Sequence, residues 1–174
     1  LPENNPLYLD MYVREYLDFV ARIYKVSNRN ERVKEMIHSV GLELEQNKQI
    51  GALSKGYRQR VGLAQAMIHD PEVLILDEPT SGLDPNQLIE IRELIKRIGK
   101  EKTLMLSTHI MQEAEAICDR VVILSKGEIV ADTPTNKLNE KSGLKSVFVE
   151  FQGPVNKSQL SKIKYVTKVE AKEE

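Results

Sequence analysis

A chain of 174 residues, 41% of them hydrophobic, is ample for one domain with a real core. Its 25 basic and 26 acidic residues nearly cancel, so no basic field marks a nucleic-acid binder and no nucleic-acid partner is expected. The single cysteine, Cys118, rules out an internal disulfide and suits a reducing compartment, and no apolar run approaches the roughly 18 residues that would span a bilayer.

Leu1 is followed by Pro2-Glu3-Asn4-Asn5-Pro6, which reads as a loop and offers neither an initiator methionine nor a signal peptide, so the chain is expected to begin inside a larger protein. From Met11 to Tyr24 the apolar residues Val13, Tyr16, Leu17, Val20, Ile23 and Tyr24 recur at helical spacing, and Val33, Met36, Ile37 and Val40 repeat the pattern before Gly41. After a polar linker, Gly51 to Gly56 reads as a loop and Tyr57 to His69 as a third helix. The character then changes. Val73–Leu76, Thr103–Leu106 and Val121–Leu124 are short apolar runs of the kind expected for strands buried on both faces, and helical stretches from Pro85 to Ile98 and Ile110 to Cys118 separate them. Strands alternating with helices predict an α/β fold with an open parallel sheet, whose ligands bind at the carboxyl ends of the strands. Asp77, Glu78 and His109 fall there. Ser125 to Glu128 reads as a hairpin turn into Ile129–Ala131, and 146–151 and 165–170 as strands flanking a short helix near Leu160.

Asp77-Glu78 closes an apolar strand just before Pro79, which places two carboxylates at a sheet rim where a cation would offset their desolvation. A magnesium–nucleotide site accounts for such a pair, one carboxylate serving the metal's water shell and the other the attacking water; a solvated strand-end pair is the plainer reading. Ser54 and Gly56 open the third helix, where free N–H groups, a hydroxyl and a close-approach glycine can cradle phosphate, although a simple N-cap serine looks the same. His38 and His69 read as surface residues, Cys118 as a packed one, and Arg58, Arg60, Arg92, Lys96 and Arg97 as solvated helix faces.

Taken together, Leu53-Ser54-Lys55-Gly56-Tyr57, Val73–Asp77 with Glu78, Ser81-Gly82-Leu83-Asp84 and His109 resemble the ATP-binding cassette (ABC) family as far as the turn at Gly127. The resemblance assigns these, in order, to the signature motif, the Walker B strand, the catalytic glutamate, the D-loop and the switch histidine. It implies ATP and Mg2+ as cofactors, with Asp77 supporting the metal, Glu78 polarising water, and His109 touching that water and the terminal phosphate. Two such domains would face each other head to tail, so that Ser54, Lys55 and Gly56 serve the partner's nucleotide and Asp84 links the two sites. Glu3 falls where the family has its Q-loop, usually a glutamine, and its carboxylate would accept from metal-bound water. Lys55 and Tyr57 replace the common glycine and glutamine of the signature, a variant similar to bacterial exporter cassettes of the gliding-motility and multidrug branches.

The expected division is a Q-loop remnant and helical signature subdomain over 1–70, an ATPase core over 71–133 and a carboxyl-terminal extension over 134–174. No G-x-x-x-x-G-K-[ST] occurs: Gly99-Lys100 is followed by Glu101 and has Leu94 where the first glycine should be. The chain alone is therefore expected to be inactive, and its sheet to show an uncovered edge or gap. The resemblance implies a cytoplasmic ATPase subunit of an exporter, peripheral to the membrane through a separate permease. The alternative is an ABC-type ATPase acting on ribosomes or repair complexes without a membrane partner; such proteins usually carry paired cassettes or coiled-coil insertions, which are not visible here.

Overall fold

The computed structural model describes residues 1–138, 149, 151, 160–164, 166 and 168–170. The chain divides into two compact units, Leu1–Leu138 and Asn139–Glu174. In the second, Leu160 is helical and 161–164 form turns; of the expected strands, residues 146–148, 150, 165 and 167 lie outside the described residues, and the described remainder is not in a strand.

The first unit begins with three helices, α1 (Val13–Ile23), α2 (Arg29–Ser39) and α3 (Lys55–Met67), which pack on one another. Each forms where apolar residues recur every three to four positions: Val13, Tyr16, Leu17 and Val20 of α1 and Val33, Met36 and Ile37 of α2 are all buried. The segment between α2 and α3 is laced against the approach to α1 by main-chain bonds, among them Val13 N–H to Lys48 O at 3.1 Å and Ile50 N–H to Met11 O at 3.0 Å. This fixes the loop that delivers Leu53 and Ser54 to the start of α3.

Strand β1 (Val73–Asp77) follows, then α4 (Pro85–Gly99), β2 (Thr103–Ser107) and α5 (Met111–Ile117). The strands pair in parallel, with Leu74 opposite Leu104 and Asp77 opposite Ser107. Leu1 flanks β1 on its other side, where its amino group donates to Ile75 O at 2.7 Å and its carbonyl accepts from Asp77 N–H at 2.9 Å. Leu74 and Leu76 enter the same core as the helices, together with Ile91, Leu94 and Ile95 of α4.

Two expectations change here. Among the described residues only one face of the parallel pair is covered: Leu74 and Leu76 are buried in the core they share with α1 to α4, whereas Val73, Ile75 and Met105 are more than half exposed. The third apolar run does not join this sheet. It forms β3 (Arg120–Ser125), which turns at Lys126-Gly127 and pairs antiparallel with β4 (Glu128–Pro134) in a separate hairpin. Gly127 has φ +83° at this turn, which glycine adopts without strain.

Candidate nucleotide site

The parallel register builds the first half of the site. Because Asp77 and Ser107 end their strands as partners, the Ser107 hydroxyl donates to Asp77 Oδ1 at 2.5 Å. The same hydroxyl accepts from Glu78 N–H at 3.3 Å, so one serine joins both acidic residues to β2. Beyond the strand the chain reverses sharply: Glu78 has φ +45°, a left-handed conformation that costs a non-glycine residue about 1–3 kcal/mol and marks a locally strained, over-determined position. That geometry aims its side chain across to the next strand's loop, where Glu78 Oε1 lies 2.7 Å from His109 Nδ1. A carboxylate only accepts, so Nδ1 carries the proton, and Nε2 has no partner among the described residues. The hydrogen bond to Glu78, reinforced by its charge and those of Glu113 and Glu3, raises the His109 pKa above the ordinary 6.5.

Glu3 comes to the same rim by another route. Its carboxylate accepts the Ser81 hydroxyl at 2.8 Å, which ties the segment after Leu1 to the loop after Glu78. Asp77 Oδ2 takes no hydrogen bond among the described residues. No three His, Cys, Asp or Glu side chains there converge as a metal cage. Asp77 and Glu3 thus offer carboxylate oxygens of the kind a magnesium ion takes when phosphate oxygens and water complete its shell.

The second half of the site lies at the start of α3. Ser54, extended at φ −63° and ψ 163°, caps this helix by accepting Tyr57 N–H at 3.4 Å, and it also accepts Gln87 Nε2–H at 2.9 Å. With both lone pairs engaged, its own O–H is what remains to donate. Gly56 is buried, and a methyl group there would meet the Gln87 carboxamide, its carbon 2.7 Å away. Asp84 caps α4, accepting Asn86 N–H at 3.1 Å and Gln87 N–H at 3.0 Å. Gly82 has φ +65°, and the Lys55 ammonium lies close over it. A groove of about 260 Å³ between α3 and α4 is lined by Gly56, Tyr57, Arg60, Asp84 and Gln87.

The structure therefore sorts the eight candidate residues into two groups. Glu3, Asp77, Glu78 and His109 gather around the strand ends, while Ser54, Lys55, Gly56 and Asp84 gather where α3 meets α4. Among the described residues no hydrogen bond joins Ser54 or Lys55 to Asp77, Glu78 or His109.

Several contributors were not anticipated. Ser107, Gln87, Thr80, Thr108 and Glu113 all hold site residues or their loops. Only Ser107 had a signal in the sequence, since strand pairing implies a partner for Asp77. Two arginines also depart from the solvated faces expected of them. Arg60 donates to Val40 O at 2.7 Å and pairs with Glu90 at 2.5 Å, and Arg92 pairs with Glu113 at 3.6 Å. Cys118 is half-buried and its burial raises the thiol pKa, as an unreactive packed cysteine requires.

Residues 1–81 match the family model for the ABC transporter. The chain is 42% identical over 131 residues to the ABC transporter ATP-binding protein YxlF of Bacillus subtilis, covering 74% of this chain and 44% of that protein. It is 38% identical to the bacitracin transport ATP-binding protein BcrA of Bacillus licheniformis, covering 83% of this chain and 47% of that protein. Among solved structures it resembles CbiO1 from Clostridium perfringens, part of the ABC transporter complex CbiONQ, with a TM-score of 0.73 at 29% identity over 80% of this chain and 57% of that one. The chain spans about half the length of the curated relatives it matches. On these matches the chain belongs to the ABC transporter ATP-binding family.

Proposed function

We propose that these residues form the hydrolytic and signature parts of the ATP sites in the ATPase subunit of a bacterial ABC exporter. The observation that carries the reading is the contact between Glu78 and His109 at the mouth of the strand that ends in Asp77. In this reading residues 1–70 supply the Q-loop and signature subdomain, 71–133 the ATPase core, and 134–174 an extension. Glu78, held by Ser107 and His109, orients the attacking water with the carboxylate oxygen that His109 leaves free. His109, held by Glu78 at Nδ1, would contact the attacking water and the terminal phosphate through Nε2, which donates when the imidazole is doubly protonated. Asp77 and Glu3 would hold magnesium, which when bound neutralises charge on the phosphate oxygens. Ser54, Lys55 and Gly56 would bind the terminal phosphate of a nucleotide held by a second copy in a head-to-tail dimer, with the Ser54 hydroxyl and the α3 amino terminus as donors.

The phosphate-binding loop is absent from these 174 residues, so hydrolysis needs one joined to them. A separate permease would place the subunit at the cytoplasmic face of the membrane; among the described residues no helix is long and apolar enough to cross one. The test is ATP turnover by a form that includes a G-x-x-x-x-G-K-[ST] loop. Glu78→Gln should lower kcat by about 100-fold or more while ATP still binds. Unchanged turnover in Glu78→Gln would overturn the assignment.

A further inference from the structure

Glu113 is a buried carboxylate for which the hydrolytic reading has no use. Its side chain, on α5, is 3% exposed, a placement that costs several kcal/mol unless the charge is compensated. Its partners come from three segments. Thr80, itself buried two residues beyond Glu78, donates its hydroxyl to Oε2; Thr108, immediately before His109, donates to the same oxygen at 3.4 Å; and Arg92 of α4 faces Oε1 at 3.6 Å. Thr108 is oriented for this by accepting Ile110 N–H at 3.1 Å. The Arg92 Nε is buried without a hydrogen-bond partner among the described residues, so this ion pair is the least specific of the three contacts. One carboxylate oxygen thus receives a strut from the loop that carries Glu78 and another from the loop that carries His109.

We propose that Glu113 is a positioning residue, which fixes the separation of Glu78 and His109 by pinning their two loops to a common oxygen. The inference rests on the hydrolytic reading above and adds the residue that holds its geometry. A shift of a fraction of an ångström at either strut moves Glu78 or His109 relative to the water, and misplacement on that scale costs turnover far more than ground-state binding. A merely structural glutamate would instead lower stability and leave kcat per folded molecule unchanged.

The experiment measures kcat and KM for ATP in the ATPase that includes its phosphate-binding loop. Glu113→Ala should lower kcat about 10- to 100-fold with KM within about twofold. Glu113→Gln, whose carboxamide oxygen still accepts both hydroxyls, should recover most of the loss. Thr80→Val and Thr108→Val, near-isosteric changes, should each lower kcat and add little to Glu113→Ala. They also carry the test if Glu113→Ala does not fold. Wild-type kcat in Glu113→Ala, or in both valine variants, would overturn the proposal, as would a glutamine variant no better than alanine. Glu78→Gln run alongside separates the two claims: an active Glu78→Gln removes the hydrolytic reading itself, whereas an inactive one beside a fully active Glu113→Ala removes only the positioning role.

Discussion

His109 Nδ1 and Glu78 Oε1 stand 2.7 Å apart although 31 residues separate them in sequence. The contact follows from strand register: Asp77 and Ser107 end their strands side by side, so the residues just beyond each strand emerge at the same rim. Left-handed backbone at Glu78 then turns its carboxylate toward the histidine.

This contact predicts an elevated histidine titration. The hydrogen bond to Glu78 is the largest cause, and it raises the His109 pKa above 6.5. A folded-state value above the unfolded one stabilises the fold fully below pH 6.5, and the contribution fades as pH rises through the folded value. Imidazole NMR of His109 should give a midpoint above 6.5 in the native chain and a lower one in Glu78→Gln. Identical midpoints would show that the contact does not form.

Asp84 separates a local role from a functional one. Its carboxylate caps α4 through Asn86 and Gln87, so Asp84→Ala should cost about 1 kcal/mol in urea unfolding, whereas Asp84→Asn retains the cap and most of the stability. If Asp84 also links two nucleotide sites, Asp84→Asn should lower ATP turnover in spite of near-native stability. Equal urea midpoints for Asp84→Ala and the native chain would remove the cap.

Stability should reside in the helical core. Leu17 is fully buried and Leu44 is 90% exposed. Leu17→Ala should cost about 2–5 kcal/mol and Leu44→Ala less than about 0.5 kcal/mol by chemical denaturation. Comparable losses at the two positions would contradict this placement of the core.

Much of this was legible because periodic pattern and motif agree. The helices α1 to α5 of the first unit fall where the sequence put them, since α1 to α4 each have an apolar stripe that can enter one core. Asp77, Glu78 and His109 could be placed at strand ends from the runs before them. The hairpin turn at Ser125–Glu128 was legible too, but not that it takes the run at Val121–Leu124 out of the parallel sheet, because the local pairing satisfies that run's main chain. What else escaped was long-range. Arg60 and Arg92 looked like helix-surface charges because their partners lie 20 or more residues away and leave no periodic trace. On its own segment Ser54 read first as an N-cap and only through the motif as a ligand, and it does cap α3.

The central claim is that the two groups of residues serve different nucleotides, Glu78 its own chain's and Ser54 the partner's. Mixing two inactive variants tests it most directly: Glu78→Gln and Ser54→Arg, each in an ATPase that includes the phosphate-binding loop. In a head-to-tail dimer a mixed pair concentrates both defects in one site and leaves the other intact. Random pairing makes about half the dimers mixed, so turnover should return to about a quarter of the native rate. If Ser54 and Glu78 act on the same nucleotide, every site in the mixture carries a defect, and no activity will return.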